Sequence, residues 1–192
     1  GKRQAIVSST DLSEDALGEM VERAVAMAKA APEDPYCGIA DLDQIATDIP
    51  KLDIFDATEP DTQTLIDIAD TAEDAARSVP GVTNSEGAEV GWSHAKVALA
   101  ASNGFAQYYA MSSNSFSASV LAGEGTAMER DYDYASAVYL EDLPPPDEVG
   151  RSAGIRAVAR LGARKMKTTQ VPVVYDARVS GGLIRHLTGA IN

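Results

Sequence analysis

The side chains best suited to metal or thiol chemistry are few in this 192-residue chain: two histidines, His94 and His186, and one cysteine, Cys37. A zinc site needs three or four nitrogen, sulfur or carboxylate ligands brought together. One cysteine cannot form an internal disulfide, and only the two histidines could join it at a metal. We therefore interpret Cys37 as a small buried hydrophobe and expect a reducing, cytoplasmic location for the protein.

Serine is the other candidate for chemistry. A serine nucleophile needs a general base beside it, and the sequence places neither histidine beside Ser93, Ser113 or Ser180. Four serines alternate along one predicted strand: Ser113, Ser115, Ser117 and Ser119. Alternate residues share one face of a strand, and their hydroxyls can hydrogen-bond an extended backbone. We predict that this face borders a peptide or partner surface, with plain solvent exposure as the alternative.

Charge is distributed unevenly along the chain. The formal net charge is −13, yet residues 151–192 carry eight basic side chains and one acidic one. An acidic body disfavours phosphate binding, because each contact needs a Lys or Arg, and we expect no direct binding of nucleic acid. The basic tail is interpreted as a solvated helix face. No apolar run is long enough to span a bilayer, so we expect no membrane contact.

The elements that must position these residues follow from hydrophobic periodicity. Three amphipathic helices are predicted at about 12–31, 60–79 and 147–161, and a fourth apolar helix ends the chain. Between them the period changes to two, which predicts strands at about 89–101, 105–122 and 128–140, with a hairpin at Asn103-Gly104. Further short strands are predicted at 1–8, 52–55 and 171–176.

These elements predict an α+β fold in which an antiparallel β-meander is covered by the three helices, followed by the beginning of a separate C-terminal domain. We place the end of a first N-terminal unit, a strand and a helix, at 1–32. The α+β middle unit with the meander follows at 33–165. The start of the truncated C-terminal domain occupies 170–192.

Several separated blocks of sequence resemble one known family. The blocks are Ala100–Phe105, Ala122–Gly125, Met128–Tyr134, Arg160–Lys165 and Pro172–Asp176. In this order they are similar to the TldD/PmbA family, and specifically to its PmbA branch, also called TldE. The resemblance covers nearly the whole chain. It implies that the chain is the N-terminal portion of a longer protein, with further residues ahead of Gly1 and a β-rich domain after Asn192.

The resemblance also indicates where a zinc motif would lie. In the TldD branch a helix carries His-Glu-x-x-x-His, which supplies two zinc ligands and a glutamate that activates water. In the corresponding window here, Arg185 stands in place of the first ligand, His186 in place of the glutamate and Ala190 in place of the second ligand. Neither a guanidinium nor a methyl group binds zinc. We therefore expect no metal and no catalytic residue in this chain.

The resemblance implies a non-catalytic, metal-free subunit of a cytoplasmic TldD/TldE-like metallopeptidase assembly that acts on unfolded or extended peptides. Zinc is then expected in a TldD-like partner subunit, and a homodimer is an alternative assembly. One alternative function is a zinc peptidase whose ligands lie beyond Asn192. Another is an acidic interaction module that modulates DNA gyrase through the acidic helix face at Asp61–Asp74.

Overall fold

The centre of the fold is a three-stranded antiparallel sheet whose strands are β1 (Val82–Ala100), β2 (Ala106–Ala122) and β3 (Glu129–Ala137), in that order across the sheet. The structure is a computed structural model, and it describes residues 2–191. Within these residues four α-helices complete it: α1 (Glu14–Ala30), α2 (Thr62–Arg77), α3 (Pro146–Ala159) and α4 (Ala177–Ala190). Across residues 2–191 no helix is both long and apolar enough to cross a membrane.

The hairpin between β1 and β2 is built by a local signal in the sequence. Between β1 and β2 the chain turns through residues 101–105, where Gly104 adopts a φ of +91° that favours glycine, and Ala101 N–H donates to Phe105 O at 2.8 Å. β1 begins seven residues earlier than its predicted start at 89. Register shifts between Val82 and Asn84 and between Ser85 and Gly87 interrupt the alternation there, so the period of two is not visible in the sequence.

The core lies between one face of the sheet and the pair of helices α2 and α3. Its buried residues are mostly small: Ala72, Ala76, Phe116, Ala118, Val120, Ala122, Val149, Ala153 and Ala157. Small residues let the two helices approach closely. A Cβ at Gly150 would overlap the carbonyl oxygen of Ala72, and one at Gly154 would lie 2.7 Å from Ala76 O. Both glycines are therefore required by the helix crossing.

The predicted fold class, α+β with an antiparallel meander flanked by helices, is confirmed. The bounds of α2 and α3 agree with the predicted ones to within two residues. Pro60 and Asp61 precede α2, and the Asp61 carboxylate caps it by accepting from Thr64 N–H at 2.7 Å. The hydrogen-bonding side chain, rather than propensity alone, sets where this helix begins.

Four predictions about individual elements are wrong. Residues 2–8, 52–55 and 171–176 form no strand, because an extended segment becomes a strand only when a neighbour pairs with it, and none pairs with these within residues 2–191. The remaining residue of the first segment, Gly1, lies outside the described part. The helix α1 does not cover the sheet either, since none of its residues, all of them described, is buried. The division of the chain into three units stays a prediction.

Candidate functional site

The serine row of β2 lies on the outer face of the sheet, opposite the helices. Ser113 is exposed, and Ser115, Ser117 and Ser119 are half-buried, while the intervening Asn114, Phe116, Ala118 and Val120 are buried in the core. The alternation arises because successive side chains of a strand point to opposite faces. The structure thus brings all four serines together on one surface, and their role at that surface stays a prediction.

The neighbouring strands turn this row into a groove. On the β1 side, Gly87 and Gly91 lie directly opposite Ser119 and Ser115, and a Cβ at Gly91 would be only 3.1 Å from Ser115 Oγ. On the β3 side, Tyr132 and Tyr134 lie opposite Ser119 and Ser117. Their rings stack with centroids 6.3 Å apart.

Glycines therefore keep one side of the groove low, and tyrosines raise a wall on the other. We call this surface the serine groove, and its volume at the Ser115 and Ser117 level is about 430 Å³. It is lined by Gly87, Glu89, Gly91, Ser115, Ser117, Ser119, Tyr132 and Tyr134.

Charge and hydrogen bonding differ along the groove. At one end the Glu86 carboxylate accepts from the Arg130 guanidinium and from Ser119 Oγ, the latter at 2.7 Å. Both hydrogen bonds lower the pKa of Glu86, and the bond from Arg130 is the larger cause. The contact with Glu86 raises the pKa of Arg130. Within residues 2–191 the hydroxyls of Ser115 and Ser117 have no such partner. They are the groups open to a ligand.

The reverse face of β3 lies against three of the eight basic side chains of residues 151–192. Its carboxylates meet an arginine of α3, the arginine that caps the C-terminus of α3 and an arginine of α4, in the pairs Arg156–Asp133, Arg160–Glu129, Arg160–Asp131 and Arg178–Asp131. Burial alone would raise the pKa of Asp131, but the hydrogen bonds from Arg178 and from Tyr132 N–H outweigh it, so this pKa is lowered. These three arginines are therefore paired within the chain, in contrast to the freely solvated helix face that we expected.

Arg178 also connects α4 to the wall of the serine groove. Its Nη1 donates to Asp131 Oδ1 at 3.0 Å and to Tyr132 O at 2.7 Å. The guanidinium carbon lies 5.1 Å from the centroid of the Tyr132 ring, within range of a cation–π contact. The first turn of α4 thus holds the backbone and the ring of a groove residue in place.

Further along α4 lie the three positions of the degenerate zinc motif. Arg185, His186 and Ala190 are all exposed. Arginine stays protonated and has no lone pair to donate, and alanine has no donor atom, so the window retains one nitrogen ligand. No group of three or more His, Cys, Asp or Glu side chains in residues 2–191 is arranged to hold a metal ion. The residues present in this window do not fit zinc.

Sequence reasoning missed a buried polar cluster at the end of the core. The Ser112 hydroxyl accepts from Asp56 N–H at 2.8 Å and donates to Val138 O at 2.9 Å. Asp56 in turn accepts from Leu140 N–H and Thr58 N–H, at 2.9 and 2.8 Å, and these bonds lower its pKa.

The same cluster contains one of the two histidines. His94 lies opposite Ser112 across the strands, with its ring against Phe55 and Trp92. Serine and histidine are thus neighbours here, yet the Ser112 hydroxyl donates its one proton to Val138 O and not to His94, so this pair is not arranged as a nucleophile and its base. The period of two in β2 was the available signal, since it assigns Ser112 to the same face as Phe116.

Known proteins resemble this chain over its whole length. Residues 55–161, more than half of the chain, match the PmbA/TldA metallopeptidase central domain. The metalloprotease PmbA of Escherichia coli O157:H7 is 36% identical over 190 residues, which cover 98% of this chain and 42% of that protein. The PmbA homologue of Haemophilus influenzae is 36% identical over 194 residues, with 100% and 43% covered.

A solved structure shows the same fold. It is a Bacteroides thetaiotaomicron protein described as a modulator of DNA gyrase, 24% identical, with a TM-score of 0.86 over 100% of this chain and 44% of that one. The chain spans about two-fifths of the length of the curated relatives that it matches. By its matched central domain and its full-length similarity to PmbA proteins, the chain belongs to the TldD/PmbA metallopeptidase family, on the PmbA branch.

Proposed function

We propose that this chain is the metal-free subunit of a two-subunit cytoplasmic peptidase and that its serine groove holds a segment of an extended peptide. The observation that carries the proposal is the pair of unengaged hydroxyls, Ser115 and Ser117, between the glycine side and the tyrosine wall of the groove. Hydroxyls can bond the backbone of any peptide, and tyrosine rings offer apolar contact that does not depend on one side chain. Both properties suit unfolded substrates.

The subunit arrangement follows from the chemistry of α4. The window at 185–190 has one nitrogen donor, which supports an arrangement in which another chain supplies a zinc ion and its activated water. We propose that this other chain is a TldD-like subunit and that the present chain needs no cofactor of its own. Its own residues bind and orient the peptide, through Ser115, Ser117 and the ring of Tyr132.

The experiment combines the protein with a TldD-like subunit and measures cleavage of an unfolded peptide. We expect the mixture to cleave and the chain alone to be inert. Ser115→Val with Ser117→Val should reduce cleavage by the mixture while the zinc content of the mixture and the melting temperature of this chain stay unchanged. The matched control is Ser113→Val, which alters the exposed end of the row outside the groove. Equal cleavage by all variants would show that the groove is merely solvated.

Zinc content separates this proposal from a zinc peptidase in its own right. After dialysis we expect no stoichiometric zinc on this chain. One zinc per chain that disappears in His186→Ala would contradict the metal-free assignment and would move the catalytic site into this protein.

The exposed acidic face of α2 favours a second candidate, an interaction module that modulates DNA gyrase. Asp61, Asp67, Asp70 and Asp74 of this region are exposed, and a structural relative is described as a modulator of that enzyme. Charge-driven binding weakens as salt rises. Capture of gyrase by this protein at low salt, lost at high salt and lost when these aspartates are changed to asparagine, would support the second candidate over the first.

A further inference from the structure

Tyr132, in the wall of the serine groove, has both of its polar backbone groups bound by one ion pair. Its N–H donates to Asp131 Oδ1 at 2.8 Å, and its carbonyl oxygen accepts from Arg178 Nη1 at 2.7 Å. Arg178 Nη1 also donates to Asp131 Oδ1 at 3.0 Å. The three hydrogen bonds form a closed loop at the edge of β3. The backbone of Tyr132 is therefore held from both sides by the Arg178–Asp131 pair.

The guanidinium of Arg178 also contacts the Tyr132 ring. Asp131 lies opposite Val120 and faces the core. Tyr132 lies opposite Ser119 and faces the serine groove. Arg178 thus reaches around the edge of β3, from the carboxylate on the inner face to the ring on the outer face, where its guanidinium carbon lies 5.1 Å from the ring centroid. A cation over a ring is attracted to it, which disfavours ring orientations that lose the contact.

An ordered ring favours binding because ordering a side chain costs free energy. A side chain that is mobile in the free protein loses its rotamer freedom when a ligand covers it, and this loss weakens the complex. Tyr132 is 40% exposed and lines the groove, so a ligand in the groove would cover its ring. A ring that is already ordered removes this cost from the binding step.

We infer that Arg178 is a positioning residue for peptide binding, which orders Tyr132 so that the serine groove binds an extended peptide more tightly. The inference rests on the proposed function, because it requires the peptide to lie in the groove. Arg178 acts through Tyr132 and not by touching the peptide. Its removal should therefore raise KM and leave kcat unchanged, which is the sign of a contact that serves binding alone.

Arg160 offers a matched control on the same carboxylate. Its Nη1 lies 3.4 Å from Asp131 Oδ2, and its Nε lies 3.5 Å from Glu129 Oε2. Within residues 2–191 no hydrogen bond or cation–π contact joins Arg160 to Tyr132. A role that consists only of pairing with Asp131 would be shared by both arginines. A positioning role belongs to Arg178 alone.

The test measures two quantities with one unstructured peptide of mixed sequence. Fluorescence anisotropy of the dye-labelled peptide gives its affinity for the protein, and cleavage by the mixture with a TldD-like subunit gives KM and kcat. We expect Arg178→Gln to weaken binding about three- to tenfold, the cost of ordering one side chain. KM should rise by the same factor at unchanged kcat. Arg160→Gln should leave the affinity and KM unchanged.

A conservative variant separates positioning from stability. Arg178→Lys keeps a cation beside Asp131 but loses the planar guanidinium over the ring. Its melting temperature should match the wild type, while its peptide affinity should stay reduced. A wild-type affinity in this variant and in Arg178→Gln would overturn the positioning role.

A double-mutant cycle tests whether Arg178 acts through Tyr132. In a Tyr132→Ala background, Arg178→Gln should have no further effect on affinity, because the ring that it orders is absent. Additive effects of the two substitutions, or equal weakening by Arg178→Gln and Arg160→Gln, would overturn the inference and leave the groove as the peptide site. Failure of the wild type to bind the peptide would instead overturn the proposed function, and this inference with it.

Discussion

Neighbouring residues of β2 lie in two different environments. Phe116 is 2% exposed, packed beneath α2 and α3, while the next residue, Ser117, lies in the serine groove on the opposite face. The inner face is filled with small apolar side chains at a close helix crossing, and the outer face is lined with hydroxyls, glycines and tyrosines. A single strand thus supplies stability on one side and an exposed groove on the other. Substitutions on the inner face should lower the free energy of unfolding, and substitutions on the outer face should leave it nearly unchanged.

The largest effect is expected for Phe116→Ala on the inner face. Removing a fully buried ring leaves a cavity and should lower the free energy of unfolding by about 3–5 kcal/mol. Chemical denaturation followed by circular dichroism measures this loss. A change below about 1 kcal/mol, the range of ordinary surface substitutions, would mean that the inner face is not the core.

Gly150→Ala should have the next largest effect. The new methyl group would overlap Ala72 O, so the two helices must separate, and we expect a loss of about 3 kcal/mol despite the better helix propensity of alanine. Gly181→Ala is the matched control, because this helical glycine has no atom within 4 Å of its Cβ position. The control should be neutral or slightly stabilising. Equal effects of the two substitutions would refute the close crossing.

Asp131→Asn tests the attachment of α4 behind the groove wall. Arg178 and Arg160 would lose a buried charged partner, and we expect a loss of about 2 kcal/mol at neutral pH.

The pH dependence of the free energy of unfolding tests the role of the Asp131 carboxylate further. The folded pKa of Asp131 is lowered, so its contribution is complete above the unfolded pKa of about 3.9 and is lost as the pH falls through the folded value. The variant should therefore lose less stability than the wild type on acidification below about pH 4. Parallel pH profiles from denaturation curves would contradict the role of this carboxylate.

The smallest effect on stability is expected for Ser117→Val on the outer face. The side chain is half-buried and bonds to no other described residue, so the free energy of unfolding should change by less than about 0.5 kcal/mol. Peptide cleavage with a TldD-like subunit should fall in the same variant. A large loss of stability instead would place Ser117 in the structural part of the sheet and erase the distinction between its faces.

Local patterns determined much of this protein. The periods of 3.6 and two identified α2, α3 and α4 and the three strands of the meander, because amphipathic spacing depends only on residues close together in the chain. The alternation of β2 separated the serines from the core for the same reason. The residue types at Arg185 and Ala190 leave His186 as the nitrogen donor of their window, and this can be read without any coordinates.

Only the tertiary structure decided what each face contacts. The apolar stripe of α1 predicted burial but not a partner, and its residues Val21 and Val25 are 59% and 48% exposed. The strand register, set by the turn at 101–105, placed Ser112 rather than Ser113 opposite His94. Pairing of Arg178 with Asp131 joins residues 47 positions apart. Contacts of this kind depend on how distant segments pack, which a local pattern does not contain.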